Sequence, residues 1–276
     1  MPRIVRFRDL EQTWSTHRAR EPGFMRWLVT WVGGPAGHIN TNPGVAVESS
    51  NCAIGLMLLP RGQRQSGKHI HSVTEIYVVL EGLLEGFDAS GHPHGAGPMD
   101  CTVIPPGCPH GVRNCGLDDV LLVWVHDDIE ADGVSAYFPD DHPFADVPAI
   151  EVVRYADMMP DAPVPGARGP GTRPWSANWV AGLAGSPDPG EGVAVPNARV
   201  AVGITLLDPG HHIPAASLEV TRFYLVTEGE AIVDQQTGTA TLTRLDGIQF
   251  PAGEPLALRN GGPCTLRLLW VDCPAD

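Results

Sequence analysis

Residues recur along this chain at a nearly fixed separation, and the recurrence limits the fold more than any other feature. Glu81-Gly82 returns as Glu228-Gly229, 147 positions later, and Asp100 returns as Asp246, 146 later. Pro105, Gly107, Asn114 and Trp124 return as Pro251, Gly253, Asn260 and Trp270 at the same 146, while Gly62 and Gly210 stand 148 apart. A drift of one or two positions is the size of a loop insertion. The 276 residues therefore read as two similar units.

Each unit is built from short runs rich in Val, Ile and Leu, bounded by turn residues. The runs are 53–59, 75–80, 102–104 and 120–125 in the first unit, and 200–207, 222–227, 247–250 and 265–271 in the second. With 32 Gly and 27 Pro spread along the chain, long helices have no place, because Pro breaks helix interiors. Many short strands at this spacing predict an all-β chain of two sandwiches or barrels. The expected organisation is an N-terminal arm over 1–45, a barrel over 46–130, a Pro/Gly-rich linker over 131–195 and a second barrel over 196–276. The arm carries Trp14, Phe24, Trp27 and Trp31, aromatic surface that must pack on a barrel or on a second subunit, so a homodimer or larger assembly is expected. Residues 9–18 admit a short helix.

The balance of 32 acidic against 18 basic residues gives a formal charge of −14, which argues against nucleic acid and acidic membrane surfaces as partners. No apolar run is long enough to span a bilayer, and the first residues lack the apolar core of a signal peptide, so a cytoplasmic protein is expected. The six cysteines form no Cys-x-x-Cys pair and read as small, partly buried apolar residues.

The residues that carry chemistry lie in the first unit. His69, His71 and Glu75 stand at and before the start of an apolar run, and His110 follows in PPGCPHGVRN. Alternate strand residues share a face, so His69 and His71 point the same way, and a continuous strand would add Glu75, Tyr77 and Val79 to that face. A carboxylate in an apolar strand needs a counter-ion. Three imidazoles and one carboxylate suit Fe, Mn, Ni, Co, Cu or Zn better than Ca or Mg, which prefer shells made only of oxygen. Four protein ligands leave an octahedral ion two open positions. The ion's residual charge of about +1 then favours a small anionic, oxygen-bearing substrate. Tyr77 and Arg113 are the candidate substrate contacts.

The order Gly62, His69-x-His71, Glu75, Gly82, then Pro105-x-Gly107, His110 and Asn114 resembles the two sequence motifs of the cupin superfamily. There are two departures: six residues rather than five separate Gly62 from His69, and Met99 stands where the second motif usually begins with Gly. The resemblance implies two double-stranded β-helix (jelly-roll) barrels, a bicupin, with His69, His71, Glu75 and His110 as ligands of one divalent metal, Fe(II) foremost. At the aligned positions the second unit has Ala216, Leu218, Arg222 and Leu256, so it is expected to bind no metal. Cupins with this ligand set include dioxygenases acting on phenolic, enolic or diketone substrates. The resemblance therefore points to a metal-dependent dioxygenase with Glu75, Tyr77 and Arg113 at the reacting centre. The same set also admits redox-neutral isomerases, decarboxylases and lyases, and non-catalytic binding modules.

Overall fold

The computed structural model describes residues 1–35, 39–130, 136–158, 175–187, 193–235 and 238–276. Among them the chain is strand and turn throughout, with two single-turn 3-10 segments, Phe7–Asp9 and Tyr155–Asp157. Among the described residues no helix is long and apolar enough to cross a membrane. The most Pro/Gly-rich runs of the expected linker, at 159–174 and 188–192, lie outside the described residues.

The strands gather into two compact units, Leu10–Ala156 and Met1–Asp9 with Asp157–Asp276. In the first, a seven-stranded sheet runs in the order Glu151–Val153, Cys101–Ile104, Glu75–Glu81, Val120–His126, Ala53–Leu59, Trp27–Gly33 and Val47–Glu48. A five-stranded sheet runs Ala136–Phe138, Lys68–Ile70, His110–Asn114, Leu84–Asp88 and Pro93–Ala96. Only Val47–Glu48 pairs in parallel; every other neighbour in these sheets is antiparallel. Residues from both sheets, among them Met57, Tyr77, Val79, Leu84, Val112, Leu122 and Trp124, form one core.

The second unit repeats the plan. Seven strands, Arg3–Val5, Gly247–Phe250, Thr221–Glu228, Leu266–Cys273, Ala201–Leu207, Trp175–Ala181 and Val195–Pro196, make one sheet. The other is His212–Ser217, Pro255–Asn260, Ala231–Gln235 and Gly238–Leu242. Tyr224, Phe250, Leu258, Leu268 and Trp270 fill the core between them. The recurring residues now have physical reasons. A Cβ on Gly55 would stand 2.1 Å from the Trp124 ring, and one on Gly203 2.2 Å from Trp270, so each Trp needs a glycine opposite it on the neighbouring strand. Asn114 closes its turn by donating to the carbonyls of Leu59 and Asp118, and Asn260 does the same to Leu207 and Cys264. Met99 and Leu245 both sit at φ 68°, which explains why glycine is the usual residue at the start of that motif.

The expected boundaries are corrected at the start of each barrel and at the end of the first. Residues 1–45 are not an arm outside the barrel, because Trp27–Gly33 lies inside the first sheet against Ala53–Leu59. Trp27 and Trp31 are buried there, so these two of the four aromatic residues are already covered within the unit, while Trp14 and Phe24 stay half-buried. Trp27 and Trp31 recur 148 positions later as Trp175 and Trp179 in the matching strand of the second barrel, well inside the expected linker. Residues 9–18 form no helix; Thr13 instead makes a bridge to Leu28. The leading strands are exchanged. Arg3–Val5 precedes the first barrel in sequence but pairs with Gly247–Phe250 of the second, whereas Glu151–Val153 precedes the second and pairs with Cys101–Ile104 of the first. One device anchors both. Asp246 accepts from Arg6 Nη1 and the Phe7 amide at 2.9 and 3.0 Å, and Asp100 accepts from Arg154 Nη1 and the Tyr155 amide at 2.9 Å each.

Candidate metal centre

The predicted strand through His69 and Glu75 does not continue. Lys68–Ile70 belongs to the smaller sheet and Glu75–Glu81 to the larger, and the chain crosses between the sheets at 71–74. This crossing assembles the site from both sheets. His69 stands directly opposite His110 on neighbouring strands of one sheet, and Glu75 opposite His126 on neighbouring strands of the other. His71 comes from the crossing itself.

All four predicted ligands are buried and converge. Glu75 Oε2 lies 2.8 Å from His110 Nε2, 3.3 Å from His71 Nε2 and 3.8 Å from His69 Nε2. Two of the imidazoles are oriented from behind. His110 Nδ1 donates to the Cys108 carbonyl at 2.9 Å, and His71 Nδ1 lies 3.0 Å from Glu130 Oε2. Binding those Nδ1 protons turns the Nε2 lone pairs toward the common point, the arrangement a metal-binding histidine requires. The second Glu75 oxygen, Oε1, lies 3.2 Å from His126 Nε2. The donor set and its tautomers thus fit a first-row divalent ion.

The electrostatics point the same way. Burial pushes the His69 pKa down to about 3, with His110 adding to the effect. Burial also opposes charge on His71, but Glu75 and Glu130 outweigh it and raise its pKa to about 10. Burial disfavours the Glu75 carboxylate as well, yet His71, His110, His126 and His69 together hold it well below the usual range. The two carboxylates draw positive charge to this point, and a cation held by the four side chains supplies it.

The cluster opens on a cavity of about 630 Å³, lined on its apolar side by Leu28, Met57 and Trp124. Tyr77 lines it too, with its hydroxyl kept protonated by burial and by nearby Glu75. Arg113, the other predicted substrate contact, does not reach the cavity. His110 and Val112 face inward on their strand, so Arg113 has the opposite parity; it is half-exposed and pairs with its cross-strand neighbour Glu85. His126, Glu130, Arg26 and Tyr137 line the cavity and were missed. Only His126 had a signal in the sequence, as a polar residue ending the apolar run 120–125 and lying 146 positions before Asp272.

In the second barrel Ala216 and Leu256 replace the His69 and His110 pair in the same register. Arg222 and Asp272 stand where Glu75 and His126 stand. The carboxylate ligand has become a guanidinium, so the second site holds its own cation.

Residues 55–126 match the family described as Cupin domain. No curated protein matches the chain. Among solved structures, a variant of oxalate decarboxylase from Bacillus subtilis is similar over all of this chain and 77% of its own, at 14% identity and a TM-score of 0.65. Two barrels of this topology, one matching the family and both recurring in such structures, decide the fold. It is that of a bicupin. Another similar structure is bacterial pirin YhhW in complex with nickel(II) from Escherichia coli, covering all of both chains at 14% identity and a TM-score of 0.64. AerE from Microcystis aeruginosa is 11% identical over 98% of both chains, with a TM-score of 0.62. The chain thus shares its fold with proteins far from it in sequence.

Proposed function

We propose that the first barrel binds one divalent transition metal through His69, His71, Glu75 and His110 and acts on a small, anionic, oxygen-bearing substrate. The finer reading is an Fe(II) dioxygenase that cleaves a phenolic, enolic or diketone compound; Mn, Ni, Co, Cu and Zn also suit the donor set. The observation that carries it is the convergence of three imidazole Nε2 atoms on Glu75 Oε2 at the wall of a cavity of about 630 Å³. When bound, a ferrous ion supplies electrons to dioxygen and an electrophilic centre for substrate oxygens. The protein does the rest. Leu28, Met57 and Trp124 supply apolar lining that favours the exclusion of water when a substrate fills the cavity. Tyr77 keeps its proton and offers its hydroxyl as a hydrogen-bond donor to a substrate oxygen, while His126 fixes the rotation of Glu75 through Oε1. The test is metal analysis of protein purified without added metal, followed by oxygen-consumption screening against catechols, hydroquinones, hydroxybenzoates and 1,3-diketones. Oxygen uptake should match substrate loss and stop in anaerobic buffer.

One observation favours a second reading, a redox-neutral decarboxylase, isomerase or lyase acting on the same class of substrate. His126 is buried on the cavity wall outside the four-ligand set, and a titratable group so placed can hold or move a proton. Product formation that continues without oxygen selects this reading and leaves the metal site intact.

A further inference from the structure

The cavity contains a cation that the four-ligand cluster does not explain. Arg26, at the residue before Trp27–Gly33, is only 2% exposed and lines the same cavity as Glu75 and Tyr77. A buried guanidinium normally sits against a carboxylate, because taking the charge out of water costs several kcal/mol. Among the described residues Arg26 has no such partner. Its Nη1 donates to the Phe24 carbonyl at 3.1 Å and its Nη2 to the His17 carbonyl at 2.9 Å. Burial lowers its pKa, and the groups that oppose the shift are the hydroxyls of Tyr137 and Tyr77, both on the cavity wall. An arginine has five N–H donors, and two backbone carbonyls with the Tyr137 hydroxyl do not occupy them all.

The contrast with the second barrel sharpens the point. There the buried Arg222 has a carboxylate, Asp272, gripped through two hydrogen bonds. Among the described residues Arg26 has the burial without the carboxylate. It is also the one Lys or Arg among the described residues of the cavity lining. It shares that lining with neutral polar groups from Thr13, Ser15, Thr16, Asn40 and Thr41 and with apolar Leu28, Met57 and Trp124.

We propose that Arg26, with the Tyr137 hydroxyl beside it, is a recognition site for a carboxylate carried by the substrate, separate from the oxygens that reach the four-ligand cluster. The substrate is then two-ended, with a metal-seeking phenolate, enolate or diketone at one end and a carboxylate at the other. A monoanionic carboxylate suits the site better than a phosphate dianion, because Glu75 and Glu130 already place two carboxylates on the same cavity. The inference deepens the proposed function and rests on it for the role of the other end; carboxylate recognition itself is testable without any metal.

The experiment compares two probes of one shape, 3,4-dihydroxybenzoate and 3,4-dihydroxybenzamide, by titration calorimetry of the full chain. Wild type should bind the acid about tenfold or more tightly than the amide, the worth of charge-assisted hydrogen bonds. Arg26→Gln should bring the acid down to the affinity of the amide and leave the amide unchanged, and Arg26→Lys should keep part of the preference. His69→Ala/His110→Ala should weaken both probes by the same factor and preserve their ratio. A wild type that does not prefer the acid, or that binds neither probe at millimolar concentration, overturns the proposal even if Arg26→Gln fails to fold. A preference that survives in Arg26→Gln overturns it, as does an equal loss for both probes in that variant, which is what a merely structural clamp on residues 17–26 would give. A preference lost in the metal-site variant places the carboxylate on the metal and also overturns it. Failure of the metal reading looks different: wild type would contain no metal and yet keep the acid preference.

Discussion

The Arg222 guanidinium holds the Asp272 carboxylate by Nε to Oδ1 at 2.5 Å and Nη2 to Oδ2 at 2.6 Å, in the cross-strand position that Glu75 and His126 occupy in the other barrel. The guanidinium also lies 4.3 Å over Trp270 and donates to the Tyr224 hydroxyl at 3.2 Å. The pair is buried, so removing one partner strands a charge. Asp272→Ala should destabilise the second barrel by about 3–5 kcal/mol, whereas a double replacement by apolar residues of similar volume should recover much of the loss. Urea unfolding followed by tryptophan fluorescence reads both.

The first barrel should take up one metal ion per chain and the second none. Plasma emission analysis of wild type and of His69→Ala/His71→Ala checks this, with the variant expected to be metal-free. A content of two ions per chain would refute it.

Glu130 lies 3.0 Å from His71 Nδ1 and accepts from the Ser72 amide and hydroxyl. Glu130→Gln keeps the shape but weakens the hold on the imidazole, so metal affinity should fall by about 10–100-fold with the fold unchanged. Competition against a chelator of known affinity measures it.

Arg113→Ala should alter neither metal content nor turnover. Its pairing with Glu85 is on a half-exposed strand face, and stability should change by less than about 1 kcal/mol. A loss of activity comparable to that of Tyr77→Phe would return Arg113 to the site.

Asp246 gives an acid limb to stability. Burial opposes its charge, but the amides of Thr243 and Phe7 and the side chain of Arg6 hold its pKa below the ordinary aspartate value of 3.8. A carboxyl lowered in the folded state contributes stability above the unfolded value and loses it as pH falls through the folded one. Stability should therefore decline below about pH 4, and Asp246→Asn should flatten that decline while lowering stability at neutral pH. Denaturant unfolding across a pH series shows the difference.

The sequence by itself determined what depends on local pattern. The offset of 146 to 148 gave two β units, and the spacing of His69, His71, Glu75 and His110 gave a cluster that the fold brings within reach of one ion. Such residues are legible because each motif is contiguous and its side-chain types are chemically unusual for an apolar strand. Tertiary structure alone decided the rest. Trp27–Gly33 is buried on nearly every residue, so it lacks the polar alternation that marks a strand in sequence, and its repetition in Trp175–Ala181 went unread. Arg113 faces solvent because one residue of strand parity turns a side chain from cavity to surface. Arg26, Glu130 and Tyr137 reach the cavity from a loop residue and later segments, at distances no motif spans. The exchange of Arg3–Val5 and Glu151–Val153 follows from pairing energy, since an edge strand is satisfied by whichever segment completes its hydrogen bonds, irrespective of the order in which the chain supplies it.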